Sequence, residues 1–442
     1  MKVSIIMPSL NVRPYIEECI ESAIRQTLRD IEIICIDAGS TDGTWEVLEK
    51  YAQNDNRIKL YHSDIKSYGY QVNFGMDKAT GDYVAILETD DYLSESMYEE
   101  LYQMAEDNNV DYVKSDFIRF FTLQNGDRVF TKYPQFPFDP DLYFKRLNPH
   151  MCDEVYQEDF NLWKGIYRTQ WLRESNIRLN ESRGAAYQDI GFMEQVYLYA
   201  QSGMYTNEAL YYYRTDRDEA SVNSINGLKN LWVEFKRFYD AFVLKNMGVY
   251  ERGFYIHMIR GFIGEFDKII PKINGNCSAP ECKSYLDWFI KVIGRAFDEK
   301  TVNKDAFSEI NAKKIISILN DPQNYAYGFI KNMNEYKSKL SCLKSQVGKE
   351  IVLFGAGHWG IEVLRILDTH GCATVRAFAD NSMDKQGNII ANRPVYSIEE
   401  CLKRFPAATF IITNENNRIE MKKQFFRCGG DASHLVVALG DI

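Results

Sequence analysis

The chain should fold as an α/β protein with a mainly parallel sheet at its N-terminal end, a helical middle region and a second, smaller α/β domain at its C-terminal end. Three observations lead there. Short aliphatic runs alternate with helix-period segments over the first ~95 residues, amphipathic helical stripes replace that alternation from about residue 226, and a strand, a glycine turn and a helix start again near residue 350.

In order along the chain, Val3 to Met7 and Ile31 to Asp37 are aliphatic runs of strand length. Ile16, Cys19, Ile20, Ala23 and Ile24 recur between them at helical spacing, which makes a βαβ unit. A helix with Trp45 and Leu48 on one face follows "GSTDGT". Next come a strand near Ile58 to Tyr61, a helix from about Tyr70 to Ala79 and a strand from Tyr83 to Leu87. From about Val110 the pattern turns irregular and aromatic-rich, in "FIRFF" and "YPQFPFDPDLYF", as strands and loops that complete the same domain. Leu228, Leu231, Trp232, Phe235 and Phe238 then form one helical stripe and "CKSYLDWFIKVIGRAF" another, a bundle or linker without evident chemistry. The last part reads as a strand in "EIVLF", a glycine turn in "GAGHWG", and strands in "TVRAFAD", "ATFIITN" and "HLVVAL". Ser397 and Glu400 fit a capping box before "SIEECLKRF". Domains are therefore expected at residues 1–225, 226–341 and 342–442.

Composition narrows the function. With 442 residues, 45% of them hydrophobic and 26% charged, the chain has ample material for several cores, and its formal charge of -10 argues against general nucleic-acid binding. The nine cysteines sit at irregular spacings without a CxxC, which suits reduced, structural thiols. "MKVSIIMPSL" is too short in its apolar run for a signal segment, and no stretch approaches ~20 apolar residues. A cytoplasmic protein is expected, with peripheral membrane contact and self-association both compatible with it.

The chemistry gathers at strand ends. Asp37 closes "IEIICID", and Glu88, Asp90 and Asp91 close "YVAIL"; in an open parallel sheet, ligands bind beyond these carboxyl ends. Carboxylates crowded on one rim call for a divalent cation, and a cation held by only one or two of them keeps positions open for diphosphate oxygens. The competing reading is that these acids cap the helix of "DDYLSESMYEELYQM", and that "DAGSTDGT" is a plain β-to-α turn.

In their order and approximate spacing, "VSIIMPSLN", "IICIDAGSTDGT", "YGYQVNFGMDKATGDYVAILETDDYL" and "YQDIGF" resemble the family 2 glycosyltransferases, which have the GT-A fold; the resemblance covers roughly residues 1 to 220. It implies that "ETDD" is the family's DxD motif, holding Mg²⁺ or Mn²⁺ against a nucleotide-sugar donor, with Asp90 as principal ligand beside Glu88 and Asp91. It places Pro8, Ser9 and Asn11 in the nucleotide pocket, Asp37 on the uracil or equivalent base, and Gly69, Asn73 and Gly75 beside the donor. Asp189 falls at the catalytic base, for which the competing reading is a helix cap. The sequence departs from the family at Ala38 and Gln188, where acids are common, and at Glu88, which stands for the first Asp of DxD. The implied activity is inverting transfer from a UDP-sugar to a hydroxyl of a glycan or lipid-linked acceptor in cell-surface polysaccharide assembly. Arg214 and Arg217 could reach the diphosphate, or belong to a solvated charged loop, and Trp163 and Tyr187 could stack on an acceptor sugar, although core packing is the more frequent fate of such rings.

Two alternatives stand beside it. A chain in which the departures have abolished catalysis would be a nucleotide-sugar-binding or scaffold protein. An NAD-dependent oxidoreductase would rest on Gly355, Gly357 and Gly360 with Asp380 beyond them. The latter leaves the N-terminal acids unexplained, and the C-terminal part instead resembles small Rossmann-like domains appended to some bacterial sugar-modifying enzymes.

Overall fold

The computed structural model describes residues 1–217, 224–344, 349–369, 374–413 and 418–437. They gather into two compact units, Met1–Arg119 with Lys132–Ala326, and Phe120–Thr131 with Tyr327–Ile442.

The first unit opens with four parallel strands, β1 (Val3–Ser9), β2 (Ile31–Asp37), β3 (Ile58–His62) and β4 (Tyr83–Ile86). Every residue of β1, β2 and β4 is buried, as expected for strands covered by helices on both faces. The covering helices are α1 (Ile16–Ile24), α2 (Thr44–Ala52) and α3 (Tyr68–Lys78). The short β5 (Tyr92–Leu93) precedes α4 (Met97–Asn108), and β6 (Tyr112–Thr122), β7 (Arg128–Tyr133), β8 (Gly165–Arg168) and β9 (Gly203–Arg214) complete a nine-stranded sheet in the order β3-β2-β1-β4-β8-β6-β9-β5, with β7 on β6. Antiparallel β8 follows β4 where the parallel part ends. Because β1 pairs in register with β2, Ser9 stands opposite Asp37, and the ends of β1, β2 and β4 form one rim.

Helices α5 (Asp153–Glu158), α6 (Thr169–Glu174), α7 (Gln188–Tyr199), α8 (Gly227–Phe238), α9 (Glu251–Ile269), α10 (Lys283–Asp298) and α11 (Glu309–Asn320) follow, and α12 (Pro322–Lys344) leaves the unit at residue 326. The apolar stripe read from the sequence explains α8: its Phe235 meets Phe254 and His257 of α9 with ring centroids 5.9 and 5.5 Å away. The helices between residues 226 and 326 thus pack within the same unit as the sheet.

The second unit holds β10 (Ile351–Phe354), α13 (His358–Thr369), β11 (Val375–Ala379), β12 (Ile389–Ile390), β13 (Arg393–Tyr396), α14 (Ile398–Arg404), β14 (Thr409–Ile412), α15 (Arg418–Arg427) and β15 (Leu435–Val437). Its sheet order is β12-β13-β11-β10-β14-β15, parallel except at β12. Ser397 caps α14, its Oγ accepting from the Glu400 amide at 3.2 Å. The β12–β13 hairpin escapes a sequence reading because its turn residues, Ala391 and Asn392, both take positive φ without a glycine to announce it. Phe121, Leu123 and Val129 share a core with Ile351, Leu353 and Leu364, so the β6–β7 hairpin tip is part of this unit. The last residues of "HLVVAL" lie outside those described. Among the described residues no helix is long and apolar enough to cross a membrane.

Candidate active site

The acids of "ETDD" do not cap a helix: α4 starts only at Met97, and β5 intervenes. The three separate instead. Glu88 and Asp90 line a cavity of about 750 Å³ in the first unit. Tyr68, at the start of α3, donates its hydroxyl to Glu88. Burial, with Asp90 and Asp189 nearby, pushes the Glu88 carboxyl up to about 8 even though Tyr68 opposes the shift. Asp90 Oδ2 accepts from Arg217 Nη1 at 2.9 Å.

Asp91, expected with them at the metal, is a structural group. It is 2% exposed and absent from the cavity wall, with Oδ1 accepting from the Arg214 amide at 2.7 Å and Oδ2 from the Tyr211 hydroxyl at 2.8 Å. Arg214 is equally committed, donating to the Asp90 carbonyl at 2.8 Å and to Glu18 at 2.8 Å. Arg217 is therefore the arginine of that segment on the cavity wall.

Asp189 enters the same cavity from the first turn of α7. Its carboxylate takes no cap position: the N-cap is Tyr187, held at φ +66°, and Asp189 Oδ1 accepts from the adjacent Ile190 amide, at 3.0 Å. A bulky residue in the left-handed region is strained, and such strain persists where neighbouring structure enforces it. Gln188, where the family often has Glu, donates to Ser182 Oγ at 3.0 Å and the Gly184 carbonyl at 3.2 Å, and accepts from the Ala186 amide at 2.6 Å. Gly184 bridges to Ser67, and its carbonyl accepts from the Tyr68 amide at 3.0 Å. Burial raises the Asp189 carboxyl to about 6. Of the other acids near in sequence, Glu194 is buried in a pair with His257, and Glu181 is exposed and accepts from Asn73 Nδ2 at 2.9 Å.

The residues expected around the nucleotide stand at the rim of β1 and β2 and off the cavity wall. Asp37 is 1% exposed and accepts from the amides of Gly39 and Ser40 at 2.9 and 2.8 Å, the Ser40 hydroxyl at 2.5 Å and the Ser9 hydroxyl at 3.2 Å. Asn11, at φ +53°, accepts from the Thr41 amide at 2.9 Å and so ties the two loops together. Pro8 offers its carbonyl to the Thr89 hydroxyl at 2.8 Å, which links β1 to the acidic loop. Gly69 and Asn73 serve the loop that carries Asp189. A Cβ on Gly69 would sit 1.9 Å from the Asn180 carbonyl oxygen, and the Asn73 amide group bonds the Leu179 backbone at both ends, each at 3.0 Å. Gly75 packs against Ile6. One residue missed in the sequence matters here: Gln71 donates to the carbonyls of Ser9 and Ile36, at 3.0 and 2.6 Å, and fixes α3 against both strand ends.

The helical region does contribute to the site, against expectation. Leu231 of α8 and Arg260, Gly261, Gly264, Glu265 and Lys268 of α9 line the cavity. The other wall is aromatic and cationic, with Phe117, Tyr133, Trp163 and Tyr213 beside Arg119 and Lys164. Trp163 stacks on Tyr211 and Tyr213 at 4.3 and 5.2 Å, and Tyr187 is also on the wall.

Among the described residues no three His, Cys, Asp or Glu side chains stand as a complete metal cage. Glu88 and Asp90 still fit a Mg²⁺ or Mn²⁺ site: both offer hard oxygens on one wall, such ions take one or two carboxylates plus substrate phosphates, and a cation would relieve the strain that lifts Glu88. In the second unit, Asp380 at the end of β11 accepts from the Ala356 amide at 2.7 Å and the Ser382 amide at 2.9 Å, both within the glycine turn and its neighbour.

Residues 4–157 match the family described as "Glycosyl transferase family 2". That stretch is a family 2 glycosyltransferase domain. The uncharacterized glycosyltransferase EpsJ of Bacillus subtilis is 33% identical to the chain over 217 residues, 48% of this chain and 60% of that protein. The cholesterol galactosyltransferase of Borreliella burgdorferi is 31% identical over 227 residues, 50% of this chain and 62% of that one. The chain thus spans less than two thirds of the length of either relative. Among solved structures, S. aureus TarS 1-349 superposes with a TM-score of 0.52 at 18% identity, over 77% of this chain and 92% of that one, and its complex with UDP-GlcNAc does so equally. That likeness establishes a GT-A-like fold, to which the C-terminal unit adds a second, smaller sheet domain.

Proposed function

We propose that the chain is a metal-dependent, inverting glycosyltransferase that moves a sugar from a nucleoside diphosphate, foremost UDP, to a hydroxyl of a glycan or lipid-linked acceptor in bacterial cell-surface polysaccharide assembly. The observation that carries this is the meeting of Glu88, Asp90 and Asp189 on the wall of one 750 Å³ cavity. The UDP-GlcNAc complex of a protein with the same fold supports the choice of donor.

An acceptor hydroxyl is a poor nucleophile near neutral pH, and Asp189 takes its proton as the oxygen attacks the anomeric carbon. A carboxyl held near 6 suits this: it is ionised at neutral pH yet more basic than an exposed aspartate. Glu88 and Asp90 would hold the divalent ion, which when bound offsets charge on the leaving diphosphate. Arg217, already at Asp90, is placed to pair with phosphate oxygens. One displacement on one face inverts the anomeric centre and requires no sugar-enzyme bond.

A panel of nucleotide sugars tested for Mn²⁺-dependent hydrolysis identifies the donor. With that donor, Asp189→Asn should keep its affinity within a few-fold while transfer falls by roughly 10² to 10⁴, the usual worth of a positioned base. A variant that transfers at the wild-type rate removes Asp189 from this role. Donor binding by the wild-type chain without any turnover would instead make it a binding protein.

A further inference from the structure

The charged groups on the cavity wall are unevenly occupied. Of its acids, Glu88 and Asp90 belong to the proposed metal site, Asp189 to the acceptor hydroxyl, and Glu265 pairs with Lys268 at 2.6 Å. Arg217 faces the donor side through Asp90.

Apart from these and Arg260 of α9, the cations on the wall are Arg119 and Lys164, which stand on its aromatic side. Lys164 is 1% exposed and shares a single buried carboxylate, Asp159, with the fully buried Lys114: the Nζ to Oδ1 distances are 3.2 and 2.6 Å. Two ammonium groups therefore face one carboxylate, and a buried charge without full compensation is costly. Among the described residues Lys164 Nζ has one further hydrogen-bond partner, the neutral Gln135 Oε1 at 2.5 Å. The cost is visible at Lys114, whose burial brings its amine down to about 7. Arg119 has no carboxylate partner among the described residues; its guanidinium lies over the Tyr133 ring at 4.1 Å and near Phe117 at 5.8 Å. Phe117 in turn stacks on Tyr133 at 5.4 Å and meets Trp163 edge-on at 5.1 Å, while Lys164 Nζ lies 5.7 Å from its centroid. Ring faces suit the apolar side of a sugar, and a planar guanidinium fork suits phosphate or carboxylate oxygens.

We infer that the acceptor carries an anionic group, a phosphodiester or a sugar carboxylate, seated against Arg119 and Lys164 over the aromatic face of Phe117, Tyr133 and Trp163. The inference rests on reading this cavity as a transferase site. A seated anion gives Arg119 an anionic partner and Lys164 one beyond the carboxylate it shares with Lys114, and the neighbouring rings hold the sugar or polyol whose hydroxyl faces Asp189.

The test is calorimetric binding of three oligomers of equal length to the full chain with UDP and Mn²⁺ present: a glycerol phosphodiester, a glucuronate-containing oligosaccharide and a neutral glucan. One charged probe should bind about tenfold or more tighter than the glucan, as expected for hydrogen bonds to a charged group. The preference should shrink between low and about 0.15 M salt, and Arg119→Gln should cut it by about tenfold while the glucan is unaffected. Which charged probe binds separates a phosphate source from a carboxylate source. The inference is overturned if the glucan binds as tightly as both charged probes, if Arg119→Gln weakens all three alike, or if none binds. Loss of UDP-sugar hydrolysis with the charged preference intact would sink the transferase reading alone.

Discussion

Asp189 is where the enzyme reading can be tested against a purely structural one through pH. A base must be ionised to accept a proton, so kcat/KM for transfer should rise with pH, with a midpoint near 6, and level above it. A flat profile from about pH 5 to 8 would exclude Asp189 as the base. Stability should move in the opposite direction. The folded carboxyl, near 6, lies above its ordinary 3.8, so the native state holds the proton more tightly and stability falls as pH rises through that window. Asp189→Asn should therefore be more stable than the parent above neutrality and equal to it below about pH 4, as read by urea unfolding. A capping carboxylate would behave in the reverse way. Asp90→Asn tests the metal: Mn²⁺ affinity in the presence of UDP should drop by about tenfold or more, a loss seen even for outer-shell partners. Unchanged affinity would place the ion elsewhere. The motif singles out Glu88, Asp90 and Asp189, which line one cavity, but it also singles out Asp91, because sequence does not show that Tyr211 and the Arg214 amide take both of its oxygens.

At the scale of elements, α3 does more than flank the donor side. It carries the loop that presents Asp189, through Asn73, the Ser67–Gly184 bridge and the close approach of Gly69 to Asn180. A methyl at Gly69 meets a backbone oxygen, so Gly69→Ala should cost roughly 1 to 3 kcal/mol in urea unfolding and reduce transfer with it. Retained stability would mean that the loop can step aside. Gly264 on α9 gives a contrasting case. Nothing lies within 4 Å of a Cβ there, so Gly264→Ala should stabilise the chain by roughly 0.5 to 1 kcal/mol. The strands and helices of the parallel half follow from their spacing, but spacing alone makes α9 mere packing. Its signal was available: Arg260, Gly261, Gly264, Glu265 and Lys268 recur three and four residues apart and share one face. A helical stripe shows that a face exists, however, and not what it faces.

For the whole molecule, the division into two units changes how the C-terminal domain should be removed. Residues 120–131 belong with residues from 327 onward, and Phe121, Leu123 and Val129 pack in that core. A chain ending at residue 326 should keep UDP-sugar hydrolysis but expose this apolar hairpin and self-associate. Replacing the three residues with polar ones should restore a monomeric species in light scattering. Loss of hydrolysis in that folded, monomeric form would show that the second unit takes part in the reaction.

The sequence by itself determined the α/β alternation, the parallel N-terminal sheet, the glycine turn of the second unit and the acids at the carboxyl ends of the strands. These are local: strand and helix periods, and a motif that sits beside its own strand, are written in consecutive residues. Tertiary structure alone decided that Asp91 is tied down while Asp90 faces the cavity, that α9 forms a wall of the site, and that Lys114 and Lys164 share one carboxylate. Each of those depends on side chains far apart in the chain meeting in a desolvated interior, where partners and charge balance are set by packing and not by spacing.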